Sequence, residues 1–347
     1  MDTSSDGQSR QPERQSAEPR RRRRWPFVVG GLVALGLVGL AVVAVVVVLA
    51  VGAGGPSAPA VYDEEYVSGE GTEKVVVVPV EGIIAPAESS VGGIQPTATP
   101  EGLSDALRQA ADDPSVQAVV LEINSPGGGV TASDEMHQSI LDFKRNTEMP
   151  VVVSMADTAA SGGYYISTAA DRIVANETTL TGSLGVFFPL LNFSEAADKY
   201  GVTQEYIKSG KFKAMGNSWD DLTPEEREIY QSIVQDFYDE FVEVIVKGRG
   251  LSEESVREIA DGRIYSGSQA KELGLVDSFG GIDEAAVIAG TLAEARDTTV
   301  VRYVETPTFS ETLLARLAPR EPEVEQVIDA AGLNLEPKPY YLYMPGA

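Results

Sequence analysis

The chain has 347 residues, no cysteine, a single histidine, 27 Lys+Arg and 52 Asp+Glu, for a formal net charge of −25. A disulfide framework, a thiolate nucleophile and a Cys-ligated zinc are therefore excluded, and with His137 as the only imidazole so is a multi-His metal site. The acidic balance argues against nucleic-acid binding, which needs a basic face to displace phosphate counterions.

Residues 1–26 form a basic N-terminus, with Arg20 to Arg24 as an unbroken run. Residues 27–53 follow without a charge and are dominated by Val, Leu, Ala and Gly. That length suits a helix spanning a bilayer, and it exceeds the apolar core of a cleaved signal peptide, the rival reading prompted by Ala58-Pro59-Ala60. The Arg cluster predicts a cytoplasmic N-terminus, which places everything beyond Ala53 on the extracytoplasmic side. Residues 54–73 are rich in Gly, Pro, Ser and acid and read as a linker. Residues 74–297 are expected to form one α/β domain, and 298–347 a C-terminal extension. Only nine basic residues are Lys, and the acidic surface looks like an adaptation to high salt, a merely acidic soluble domain being the plainer reading.

Within the domain, Lys74–Val80 (KVVVVPV) reads as a buried strand and Gly102–Ala111 as a helix with Leu103, Ala106, Leu107 and Ala110 on one face. Ala118–Ile123 is the next strand, and Gly127-Gly128-Gly129 precedes a helix through Met136, Ile140 and Phe143. Pro150–Ser154 is a third strand, Ser161-Gly162-Gly163 leads into another helical stretch, and Arg172–Ala175 continues the alternation. This order predicts parallel βαβ units, with a site beyond the strand C-termini where both Gly-rich turns fall.

The first turn, Asn124 to Gly129, brings backbone N–H groups close to a ligand or serves only as a tight connection. It lacks the continuation that a phosphate loop or dinucleotide fingerprint requires. The second turn, Ala159 to Tyr165, sets Ser161 between small residues before a helix start, as a nucleophile or as an N-cap. A nucleophile needs a base. His137 lies about 12 Å of helical rise from Gly129 and reads as a surface or interface histidine. A neutral lysine is the alternative, and Lys208, Lys211 and Lys213 are candidates, each with a solvated cation as its plain reading.

Five segments in order resemble signal peptide peptidase A: Ile123 to Gly129, Ala159 to Tyr165, Thr181-Gly182-Ser183-Leu184-Gly185, Ile207-Lys208-Ser209-Gly210 with Lys213, and Asp261 to Tyr265 leading to Ala270 and Gly274 to Asp277. The resemblance covers about Lys74 to Gly290 and is to the short form of this membrane-anchored serine protease family. It implies a fold of the Clp protease/crotonase type. It also implies Ser161 as nucleophile, Lys213 as general base and Ser183 as the residue orienting the lysine amine. The oxyanion hole falls to the N–H groups of Gly128 and Gly162. Ala214-Met215-Gly216-Asn217 departs from the more polar residue expected beside that lysine. No cofactor or metal is implied. The expected partners are peptide substrates, namely remnant signal peptides cut in their apolar core, and further copies of the chain in a homo-oligomer. A non-catalytic membrane-tethered scaffold and a crotonase-type acyl-CoA enzyme are the alternatives. Retention of Ser161, Ser183 and Lys213 together weighs against the first, and an extracytoplasmic location against the second.

Overall fold

A computed structural model describes residues 61–87 and 98–305, together with the backbone of 340–342. The expected membrane anchor, 27–53, lies outside the described residues, among which no helix is long and apolar enough to cross a membrane.

Valine runs build the centre of the sheet. β2 (Glu73–Glu81), β3 (Val116–Ser125) and β5 (Val151–Ala160) are parallel neighbours, and Val75 to Val78, Val119 to Leu121 and Val151 to Val153 are all buried. Strands covered on both faces have no use for polar alternation, so they read as continuous apolar runs. β6 (Arg172–Ala175) joins β5 in parallel, and β9 (Ser278–Phe279) joins β6. β7 (Leu180–Gly182) pairs with the last residues of β5 and, antiparallel, with β8 (Ile264–Ser266).

The sheet also takes in both segments flanking the expected domain. β1 (Tyr62–Gly69) lies inside the stretch read as linker, and β10 (Thr298–Glu305) inside the stretch read as C-terminal extension. β10 runs parallel to β2, with Val300 beside Val75 and Val301 beside Val76, and β1 closes the edge antiparallel to β10. An edge strand facing water on most of its length carries acids, which is why Tyr62-Asp63-Glu64-Glu65 looks like linker in sequence. Tyr62 ties it down. Its hydroxyl donates to the Gly102 carbonyl at 2.9 Å and its ring stacks on Tyr303 at 5.7 Å.

Helices cover the faces. α1 (Pro100–Asp112) starts at Thr99, whose side chain accepts from the Gly102 N–H, and buries the four apolar residues of its predicted face. α2 (Val130–Thr147), α3 (Gly162–Ser167) and α4 (Ser194–Tyr200) follow. The longest helix, α5 (Pro224–Arg249), opens with a capping box between Thr223 and Glu226 and buries Tyr230, Phe241, Val242 and Ile245. α6 (Glu253–Ile259), α7 (Gly267–Glu272) and α8 (Ile282–Leu292) complete the set, α8 packing Ala285, Ala286 and Ala289 on the second face of the sheet.

Candidate active site

The C-terminal ends of β3, β5 and β7 converge, and their connections hold the site. After β3 the chain turns into a short strand, β4 (Gly127–Gly129), which is stitched to Ile84: the Ile84 N–H donates to the Gly127 carbonyl at 2.9 Å, and the Gly129 N–H to the Ile84 carbonyl at 2.8 Å. Ser125 braces this turn. Its hydroxyl donates to the Gly82 carbonyl at 2.6 Å and accepts the Gly127 N–H at 3.1 Å. The close approach requires glycine at 128, where a Cβ would lie 1.9 Å from the Ile84 carbonyl oxygen.

β5 runs straight into α3 through Ser161, which holds φ 53° and ψ −115°. A non-glycine residue in that region is strained, and such strain clusters where a side chain must be presented in one direction. Two backbone bonds hold it there: the Ser161 N–H donates to the Gly182 carbonyl at 2.8 Å, and the Tyr165 N–H to the Ser161 carbonyl at 2.8 Å. The Ser161 hydroxyl is buried and has no hydrogen-bond partner among the described residues. A buried hydroxyl without a partner costs free energy, so its environment serves something other than stability.

Gly162 brings the two turns together. A Cβ on it would sit 2.5 Å from the Ser133 hydroxyl oxygen and 3.1 Å from the Gly128 nitrogen. Ser183, the residue after β7, has φ 51° and donates its N–H to the Arg263 carbonyl at 2.7 Å. Thus Ser161, Gly162, Gly128 and the Gly182–Ser183 turn form one cluster. The segment Asp261 to Tyr265 serves that cluster through β8, which pins the Ser183 turn. Asp277 serves it from further away, accepting the Ile173 N–H at 2.7 Å and the Arg249 guanidinium at 2.8 and 3.0 Å. Burial would raise the Asp277 carboxyl, but Arg249 and the Ile173 N–H hold it below the ordinary carboxylate range.

No hydrogen bond joins Lys213 to the Ser161 hydroxyl. The lysine lies exposed in the turns between α4 and α5, where its N–H donates to the Gly210 carbonyl at 3.2 Å. Lys208 and Lys211 are exposed in the same segment, Lys211 in an ion pair with Glu225. The chain around them in sequence carries exposed apolar side chains: Tyr200, Val202, Ile207, Phe212 and Trp219.

His137 departs from its surface reading. It is buried in α2, edge-on to Tyr165 at 5.2 Å between ring centroids, and its Nδ1 has no hydrogen-bond partner among the described residues. Burial pushes it down to about 4, with the Asp134 carboxylate opposing and Lys144 and Lys247 adding to the fall. Sequence reading missed Ser133, one turn before His137 on the same face, fully buried and without a hydrogen-bond partner among the described residues. Its signal was available, since 133, 136, 137 and 140 follow the helical period. No group of acidic and histidine side chains suited to a metal occurs among the described residues.

The Peptidase family S49 pattern matches residues 143–296. A protein of Enterococcus faecium, provisionally named signal peptide peptidase SppA, is 35% identical over 292 residues, covering 82% of this chain and 85% of that protein. Protease 4 of Haemophilus influenzae is 37% identical over 238 residues, 69% of this chain and 38% of that longer protein. Among solved structures, a point mutant of ClpP1 from Listeria monocytogenes aligns with a TM-score of 0.40 at 20% identity, covering 60% of this chain and 94% of that one.

Proposed function

Since the chain belongs to Peptidase family S49 and is a protease of the signal peptide peptidase type, we propose that it is a serine endopeptidase using Ser161 as nucleophile and Lys213 as general base. The fold proposed with this reading is of the Clp protease/crotonase type. The observation that carries this reading is Ser161 itself, a strained, buried, unpartnered hydroxyl at a strand-to-helix elbow beside two glycine amides.

Neutral Lys213 takes the Ser161 proton as Oγ attacks a peptide carbonyl carbon. The carbonyl π pair moves onto oxygen, where the N–H groups of Gly128 and Gly162 receive it. Collapse of the tetrahedral adduct breaks the C–N bond, and Lys213 returns the proton to the leaving amine. Water deprotonated by the same amine then releases the acyl group. Ser183 orients the lysine, and no metal or cofactor enters.

Among the described residues of one chain Ser161 Oγ lacks a partner, while Lys213 stands exposed on a segment carrying exposed apolar side chains. Burying that segment against a second copy both desolvates the amine, which favours its neutral form, and brings it to a serine. The working state is therefore a homo-oligomer. The charge of −25 opposes assembly at low ionic strength, so salt promotes it. In this reading residues 27–53 anchor the assembly in the membrane with the N-terminus cytoplasmic, and the catalytic domain takes remnant signal peptides from the extracytoplasmic side.

A fluorophosphonate probe tests the reading. Wild type is labelled, Ser161→Ala and Lys213→Ala are not, and mixing the two variants restores peptidase activity. An unlabelled wild type indicates the scaffold alternative, and labelling of Lys213→Ala at the wild-type rate removes the dyad.

A further inference from the structure

Ser161 is not the only hydroxyl at the elbow to lack a partner. Ser133 lies near the start of α2, fully buried, and among the described residues its Oγ has no hydrogen-bond partner either. A Ser or Thr hydroxyl inside a helix can return to the carbonyl four residues back. Three others in this fold do so: Ser139 donates to the Glu135 carbonyl at 2.8 Å, Thr147 to the Phe143 carbonyl at 2.8 Å and Ser167 to the Gly163 carbonyl at 2.7 Å. Ser133 does not make the equivalent bond to Gly129. An available way of satisfying the group is left unused at a buried position, where an unmade hydrogen bond costs stability.

The surroundings of Ser133 Oγ supply a reason. A Cβ placed on Gly162 would lie 2.5 Å from it and 3.1 Å from the Gly128 nitrogen, and one placed on Gly163 would lie 2.8 Å from the Ser125 carbonyl oxygen. The first two residues of α3 therefore rest on Ser125 and Ser133, which flank β4 on its two sides in the chain. Ser133 rides on the helix that β4 feeds directly, so Gly128 and Ser133 belong to one continuous piece of backbone. Its oxygen occupies the space beside Gly162 that a side chain would fill, and it governs how near the amides of 162 and 128 stand. The Ser125 hydroxyl is engaged in the bonds that brace its own turn, whereas that of Ser133 is turned to the elbow at the expense of a bond to its own helix.

We propose that Ser133 is a positioning residue for the candidate oxyanion hole, its hydroxyl packed on Gly162 so as to fix the separation of the Gly128 and Gly162 N–H groups. The idea deepens the protease reading and rests on it for the kinetic consequence, while the contact rests on geometry alone. Oxyanion donors act by being in place before charge develops on the carbonyl oxygen, and a displacement of about 1 Å in an active site can cost on the order of 10²-fold in rate. Removing one atom from the contact loosens donors that matter most in the transition state, so it lowers kcat and leaves KM alone. It also removes a polar group buried without a partner, so it does not weaken the fold.

The full chain in detergent is compared with Ser133→Ala and with Ser139→Ala, which removes a hydroxyl further along the same helix. Ser133→Ala is expected to hydrolyse an apolar reporter peptide with kcat lowered about tenfold or more and KM within about twofold of wild type. In urea it is expected to unfold at the wild-type midpoint or above it, and Ser139→Ala should keep the wild-type kcat and KM. Hydrogen–deuterium exchange read by mass spectrometry is expected to be faster by about threefold or more in peptides covering residues 159–166 of Ser133→Ala, with peptides from β2 and β3 unchanged. A fall in the urea midpoint alongside kcat makes Ser133 an ordinary packing residue and overturns the proposal. So does an unaltered kcat in an active enzyme, a loss carried by KM, or an equal loss in Ser139→Ala. Should no chain hydrolyse peptide, the protease reading fails by itself. The positioning contact is then decided by exchange, where equal rates over residues 159–166 in wild type and Ser133→Ala overturn it.

Discussion

The N–H of Ser161 donates to the carbonyl of Gly182 at 2.8 Å, so the residue that follows β5 is held by the last residue of β7, next to Ser183. Both Ser161 and Ser183 take positive φ, 53° and 51°. The sheet thus presents two serines from adjacent strand ends at the expense of backbone strain on the order of 1–3 kcal/mol each.

That strain has a measurable sign. Glycine ordinarily destabilises a folded position relative to alanine by up to about 1 kcal/mol. At position 161 the order reverses, because only glycine reaches φ 53°, ψ −115° without strain. Ser161→Gly is expected to unfold at higher denaturant than Ser161→Ala by about 1 kcal/mol, with both inactive. Equal midpoints would show an unstrained elbow.

Gly162 and Gly128 are constrained by different neighbours. A Cβ at 162 meets the Ser133 hydroxyl at 2.5 Å, a side chain that can be shortened, whereas a Cβ at 128 meets the Ile84 carbonyl at 1.9 Å, which is backbone. Gly162→Ala is expected to lower kcat by a factor of roughly 10² to 10³ as the oxyanion donors move apart. Adding Ser133→Ala should recover part of that loss, with a coupling of about 0.5–3 kcal/mol in stability. Gly128→Ala should gain nothing from Ser133→Ala. Additive behaviour in the 162/133 cycle would place Ser133 away from the contact.

The parts of the fold legible in sequence are those where one physical rule dominates. Val75 to Val78 could only be a doubly covered strand, and Leu103, Ala106, Leu107 and Ala110 could only be one face of a helix. β1 was illegible because an edge strand facing water has the composition of a linker. α5 carried its start signal in Thr223-Pro224-Glu225-Glu226, but its four buried residues over 26 positions give a weak period. At the site, Gly128, Ser161, Gly162 and Ser183 lie at turns whose residue types follow from backbone geometry, and they cluster. Lys213 is different: it lies exposed in an irregular segment, where no rule of packing or backbone geometry fixes the place of a side chain.

Arg249 links the distal support to the elbow. Its side chain is 7% exposed, and it reaches both oxygens of Asp277 and, through Nε, the Gly274 carbonyl at 3.0 Å. The carbonyl of Leu275, between those two residues, accepts the hydroxyl of Tyr164 at 2.9 Å, three residues beyond Ser161. Arg249→Met would leave a half-buried carboxylate without its cation, a change expected to cost about 3 kcal/mol. Arg249→Met with Asp277→Asn should be milder than Arg249→Met alone. If the single change is silent in urea unfolding, the pair is not supporting the core.

His137 predicts how stability depends on acid. Its folded-state value, pushed down to about 4 by burial, lies below the 6.5 of an exposed imidazole. Between these values the unfolded chain binds a proton that the folded chain does not. Stability therefore rises with pH across this window, is fully present above about 6.5, and falls as pH drops towards 4. Two and a half pH units correspond to at most about 3 kcal/mol for this one group. Carboxylates such as Asp277, whose values are lowered on folding, add their own loss at lower pH, so the histidine contribution is read as a difference between chains. His137→Gln removes the titration while keeping a polar side chain of similar length. Its stability relative to wild type should improve by about 2–3 kcal/mol on going from pH 7 to pH 4, measured by urea unfolding at each pH. A constant gap between the two chains from pH 7 to 4 would mean that His137 is protonated as readily inside the fold as in water.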